Sequence, residues 1–136
     1  MQKEYISIGK IDREILKKIN IKLITEEVVF TFERIKHVTD KRPEIYDEVK
    51  TMLPIVIEKP DYIYNDWNNR NNTLVFIKQI DTKSKLNVVI KVAVENDGKH
   101  SKNSIITLMK IGEKTFKKIY NNKYNNLLFE KLDKNE

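Results

Sequence analysis

Arg34, His37 and Lys41 fall at i, i+3 and i+7 of a segment that reads as a helix, so they share one face. Beside them, Ile35 and Val38 form the edge of an apolar stripe. A histidine titrates near neutrality and can take up a proton there, and a neighbouring arginine or lysine can hold a phosphate. Two other residues interrupt apolar runs in the same way. In Val88-Val89-Ile90-Lys91-Val92-Ala93-Val94, period-two alternation puts Lys91 on the face of Asn87, Val89, Ala93 and Glu95. In Ile105-Ile106-Thr107-Leu108-Met109, Thr107 offers a hydroxyl to a phosphate oxygen or to a backbone group. The plainer readings are a helix-edge histidine packed over Val38 or the sheet, an outward lysine, and a threonine placed by β-propensity.

The residue inventory narrows the chemistry further. The chain has no cysteine and only two histidines, His37 and His100. Disulfides, thiol nucleophiles and cysteine-ligated zinc are excluded, and a histidine-built metal centre is disfavoured. There is no glycine-rich phosphate loop, no GxSxG elbow and no HExxH. Glu26-Glu27, and Glu95 with Asp97, read as solvated surface rather than as a two-metal site. What is left is one histidine with cations and hydroxyls, and RNA transesterification needs no more. The ribose 2′-OH is the nucleophile, so the protein must remove a proton, stabilise a dianionic phosphorane and protonate the leaving oxygen. No cofactor is required.

The elements that must position these groups follow from the pattern. Tyr5 to Lys10 alternates as a short strand. Asp12 is an N-cap for a helix from Arg13 to Ile19, with Ile11 and Leu16 as its hydrophobic staple. Ile21 to Ile24 and Val28 to Phe30 are short β-branched runs, the second of which can instead join the next helix. Thr31 caps a helix running to about Asp40, stapled by Phe30 and Ile35. Pro43 starts another, with Ile45, Val49, Met52 and Leu53 on one side, until Pro54 interrupts it. Ile55-Val56-Ile57 is expected to be buried. After Pro60-Asp61 the period changes to two, giving strands at Tyr62 to Tyr64, Thr73 to Ile80, Leu86 to Glu95 and Ser104 to Ile111. Their connections are short and polar, including an Asp97-Gly98 turn signal, so antiparallel hairpins are expected. Gly112 ends the last strand. Phe116, Ile119 and Tyr120 then give a closing helix its apolar stripe, and Lys114, Lys117, Lys118 and Lys123 occupy its other face.

The 136 residues suit one domain spanning 1–136. The first ten residues lack a signal-peptide apolar core and no later run is long enough for a membrane span, so a soluble, cytoplasmic protein with no membrane partner is expected. A formal net charge of +6 permits an anionic partner such as nucleic acid. The excess of lysine over arginine, with abundant asparagine and isoleucine, also follows from an AT-rich genome alone.

Four motifs in order carry a resemblance. Val28 to Pro43, containing Thr31-Phe32-Glu33-Arg34-Ile35-Lys36-His37, resembles the T-x-E-R-I-x-H segment of the phage-associated Barnase, EndoU, colicin and RelE-like (BECR) nucleases. Pro60-Asp61-Tyr62-Ile63, Leu86-Asn87-Val88-Val89-Ile90-Lys91 and Asn103-Ser104-Ile105-Ile106-Thr107 are similar to that family's later motifs. The likeness spans residues 28–124. It implies an α+β fold, N-terminal helices on a four-stranded antiparallel β-meander with a C-terminal helix. It also implies a toxin-like, metal-independent ribonuclease that leaves a 2′,3′-cyclic phosphate in the cytoplasm of a bacterial or phage-infected cell. Carried over by position, His37 is the base, Arg34, Arg42 and Lys91 hold or neutralise phosphate, and Thr107 positions it. Lys41, Lys78, Lys110, Lys114 and Lys117 are the expected RNA-binding cations, with tRNA a candidate target and an immunity or antitoxin protein a candidate partner. The chain departs from the pattern at Lys41-Arg42-Pro43, where the family has a second histidine. Arg42 cannot exchange a proton at neutral pH, so a lysine, a tyrosine, water or His100 must supply it, or the chain is an impaired RNA-binding or phage-associated interaction protein of the same fold.

Overall fold

Asp12 and Thr31 each end an extended segment and start a helix, which organises the N-terminal third. The Asp12 carboxylate accepts the Glu14 amide at 2.9 Å and heads α1 (Arg13–Lys18). The Thr31 hydroxyl accepts the Arg34 amide at 3.1 Å and heads α2 (Phe32–Lys41). These come from a computed structural model that describes residues 4–68, 70–94 and 101–131; the Asp97-Gly98 turn signal and His100 lie outside the described residues. β1 (Tyr5–Lys10) and β2 (Glu27–Thr31) flank α1 and pair antiparallel. Of the Ile21 to Ile24 run, only Leu23 makes a bridge, to Val94, so the strand expected there does not form.

α3 (Pro43–Val49) passes through a 3-10 turn at Lys50–Met52 into α4 (Leu53–Glu58). Pro54 does not close the helical region. It sits in the first turn of α4, where its missing N–H has no intrahelical partner to lose. That restart turns Val56 and Ile57 into the core and leaves Ile55 47% exposed, correcting the expectation that all three are buried.

β3 (Tyr62–Asn65), β4 (Thr73–Gln79), β5 (Ser84–Lys91) and β6 (Asn103–Gly112) pair antiparallel in succession. α5 (Glu113–Asn122) follows, and then β7 (Leu127–Glu130). The fold is α+β, but among the described residues the sheet has seven strands where four were expected, in the order β1-β2-β6-β5-β4-β3-β7. β7 pairs antiparallel with β3 on one side, and β2 joins β6 in parallel on the other. The β2–β6 junction is clamped by buried Asn103. Its amide nitrogen donates to the carbonyls of Thr25 (2.8 Å) and Glu27 (2.9 Å), and its oxygen accepts the Ala93 amide (2.7 Å).

Strand alternation divides the core in two. On the first face, Phe30, Phe76, Val88, Ile90 and Leu108 pack with Leu16 of α1, Val38 of α2, Val49 of α3, and Leu53 and Val56 of α4. On the second, Tyr64, Val75, Ile77, Val89 and Ile111 pack with Phe116 of α5. A bulge in β6, between the residues opposite Val89 and Ile90, returns Leu108 and Ile105 to the first face.

Candidate nucleic-acid interface

α2 packs Val38 and Ile35 onto the first face, which turns Arg34 and His37 outward, where both are exposed. Glu33, Arg34, Lys36, His37 and Asp40, all from this one helix, line a surface depression. Within it Lys36 donates to Asp40 at 2.8 Å, and that bond holds the Lys36 ammonium above its ordinary pKa. Arg42 lies at the α2–α3 junction, its amide donating to the Val38 carbonyl, and Lys41 is exposed in the last turn of α2.

Lys91 and Thr107 are elsewhere. Lys91 pairs with Thr73 and Ser104, and Val89, two residues before it, pairs with Thr107. Val89 belongs to the second core, so by alternation Lys91 shares its side. The structure therefore brings Lys91 near Thr107 and puts Arg34 and His37 together on α2, with Arg42 at the end of that helix, but the sheet stands between the two groups. The five residues of the expected catalytic set do not converge on one phosphate.

The expected RNA-binding lysines also divide. Lys110 is tied to Glu48 on α3, a bond that raises its pKa, and Lys78 is tied to Asp61 at 3.4 Å. Lys114 and Lys117 are exposed on α5 beside Lys118 and make no ion pair with a described residue. The reason is local sequence. From Phe32 to Lys59 there are six acidic and six basic residues, whereas from Glu113 to Tyr124 there are one and four. α5 turns Phe116, Ile119 and Tyr120 to the sheet, so its lysines must face outward. Glu113, the lone acid of that helix, is occupied by Lys85, whose buried ammonium also lies 4.6 Å from the Phe116 ring centroid.

The second face ends in aromatic and hydroxyl groups that the sequence reading passed over. Tyr62 meets Phe116 at 4.9 Å and Tyr120 at 6.0 Å between ring centroids, and Tyr120 donates to Glu130. Beyond β3, the buried Asp66 carboxylate accepts the amides of Asn68 and Arg70 (3.1 Å each) and the Arg70 Nε (2.7 Å). Burial alone would raise this carboxyl, but the Arg70 guanidinium and the two amides outweigh it and hold it below the ordinary carboxylate value. The clasp presents Trp67 against Tyr64, rings edge-on at 5.8 Å. An aspartate four residues before an arginine across a polar, tryptophan-containing loop was the available signal.

Comparison of the chain with known proteins finds no matching family model, no matching characterised protein and no matching solved structure. Among the described residues, no group of three or more metal-ligating side chains forms, and no helix is long and apolar enough to cross a membrane.

Proposed function

We propose that the protein binds RNA on the α5 side of its sheet, through Lys114, Lys117 and Lys118 with Lys91 on the same side. One observation carries this reading: from Glu113 to Tyr124 four lysines stand against one acid, which Lys85 already occupies, and Lys114, Lys117 and Lys118 make no ion pair with a described residue, whereas acids and bases are equal in number from Phe32 to Lys59. Unpaired lysines on one surface are what a polyphosphate backbone neutralises, with release of its counterions. The BECR likeness of the motifs and the α+β fold support nucleic acid as the polyanion. The separation of His37 and Arg34 from Lys91 and Thr107 supports binding without cleavage by that set. Cleavage by 2′-OH transesterification is the competing proposal, and it asks His37 and Arg34 or Arg42 to work without the strand residues.

The test is RNA affinity measured across a salt series. Reversing charge at Lys114, Lys117 and Lys118 together should lower affinity about tenfold or more at low salt and flatten the salt slope. The double change Arg34→Ala with His37→Ala should leave affinity within about twofold. Affinity insensitive to salt would sink the reading. Cleavage of RNA in EDTA that His37→Ala abolishes would restore the nuclease reading in its place.

A further inference from the structure

Lysines alone recognise any nucleic-acid backbone, single or double. The second face offers something a duplex cannot use. Trp67 is the single tryptophan of the chain, half-buried at the rim of the second core, and the Asp66–Arg70 clasp fixes the backbone on either side of it. Its contact with Tyr64 is edge-on, so the two rings do not cover one another face to face. The clasp is tied to the row that carries Lys91, because the Asp66 amide donates to the Thr73 carbonyl at 3.1 Å and Thr73 pairs with Lys91. Trp67 lies in the turn that follows β3, and two strand spacings, about 10 Å, separate β3 from the strand of Lys91. Lys91 and Met109 on the neighbouring strands are exposed.

A fixed indole on the same side of the sheet as an exposed ammonium matches a single strand whose bases are free to stack and whose phosphates run over the lysines. Bases are free only where the strand is unpaired, since a duplex hides their faces and shows backbone and groove edges. We infer that Trp67 is a base-stacking platform and that the RNA taken by this face is single-stranded. The inference rests on the RNA-binding reading and adds the class of RNA to it.

Trp67 also reports on its own role, because stacking on a base quenches indole emission. The experiment titrates the protein with an oligoadenylate of about 12 nucleotides and with an RNA duplex of the same length, the size range one such face covers. Anisotropy of labelled RNA gives affinity, and tryptophan emission is read in parallel with unlabelled RNA. The single strand should bind about tenfold more tightly than the duplex and quench the emission. Trp67→Leu, which keeps apolar volume without a stacking face, should lose about tenfold or more of the single-strand affinity and leave duplex affinity nearly unchanged. Trp67→Phe should retain most of it, and thermal melts of both variants establish that they fold. Salt-dependent binding with unchanged emission, or a folded Trp67→Leu variant that binds oligoadenylate like its parent, overturns the stacking inference and leaves the RNA-binding reading intact. Absence of salt-dependent binding to either RNA overturns both.

Discussion

The two faces of the sheet are built from the same strands and differ in almost every property. On β5, Val88 and Ile90 face a larger, mainly aliphatic core beneath four helices, while Val89 and Lys91 face a smaller, aromatic-rich one beneath a single helix. Acids and bases balance along the helices over the first, with Lys36, Lys50 and Lys110 each in an ion pair, whereas the helix over the second carries an excess of lysine. Because alternation assigns neighbouring residues to opposite sides, one strand can supply stability on one face and recognition chemistry on the other. Stability and candidate function are thereby placed on different sides of a single layer.

The division is broken if the second face proves as important to folding as the first. Phe30, fully buried and edge-on to Tyr46, should cost about 4 kcal/mol on truncation to Ala. Phe116 projects from the single helix over the second face and is 8% exposed, so its site can relax and Phe116→Ala should cost about half as much by denaturant titration. Equal losses would mean that the sheet has one core divided only in appearance.

A smaller effect sharpens the contrast through acid. Asp66 has a depressed pKa in the fold, so its contribution is fully present above the unfolded value near 3.9 and is lost as pH falls through the folded value. Asp66→Ala should cost about 2 kcal/mol at neutral pH, since two amides lose their acceptor. It should also flatten the stability curve below about pH 4. An unchanged acid limb would show that the clasp contributes nothing to it.

The smallest effect has the opposite sign. The Tyr64 hydroxyl is buried without a hydrogen-bond partner among the described residues, and burial, then Tyr62, Tyr120 and Glu130, push its pKa well above the tyrosine range. A raised pKa means that the neutral form's contribution is present below the unfolded value of about 10 and lost as pH rises beyond it. Tyr64→Phe should therefore add about 1 kcal/mol at neutral pH and remove part of the alkaline decline. Destabilisation by this change would reveal a partner for the hydroxyl.

Much of the fold was legible because its signals are local. The caps at Asp12 and Thr31, the proline at the start of α3, and the alternation of β3 to β6 each act within a few residues. β7 was not legible, since Leu127-Leu128-Phe129-Glu130 is too short to show a period and its partner β3 lies far back in the chain. The β2–β6 pairing escaped for the same reason. Alternation correctly joined Lys91 to Val89, but nothing near Lys91 says on which side α2 will settle, so the sequence reading grouped His37 with residues across the sheet. The lysine stripe of α5 was visible because a helix displays both its faces within two turns. Trp67 was not, because its orientation comes from a clasp closed by Arg70 rather than from a periodic element.

The parallel contact between β2 and β6 is only two residue pairs long, Val28 with Asn103 and Val29 with Ser104. It brings together segments 75 residues apart in the chain, and such a closure carries an entropic cost before its contacts reward it. The hairpins of β3 to β6 close over short connections and need no such wait. The N-terminal strands and their helices are therefore expected to dock late in assembly, and three hydrogen bonds of one asparagine side chain secure them at that ladder.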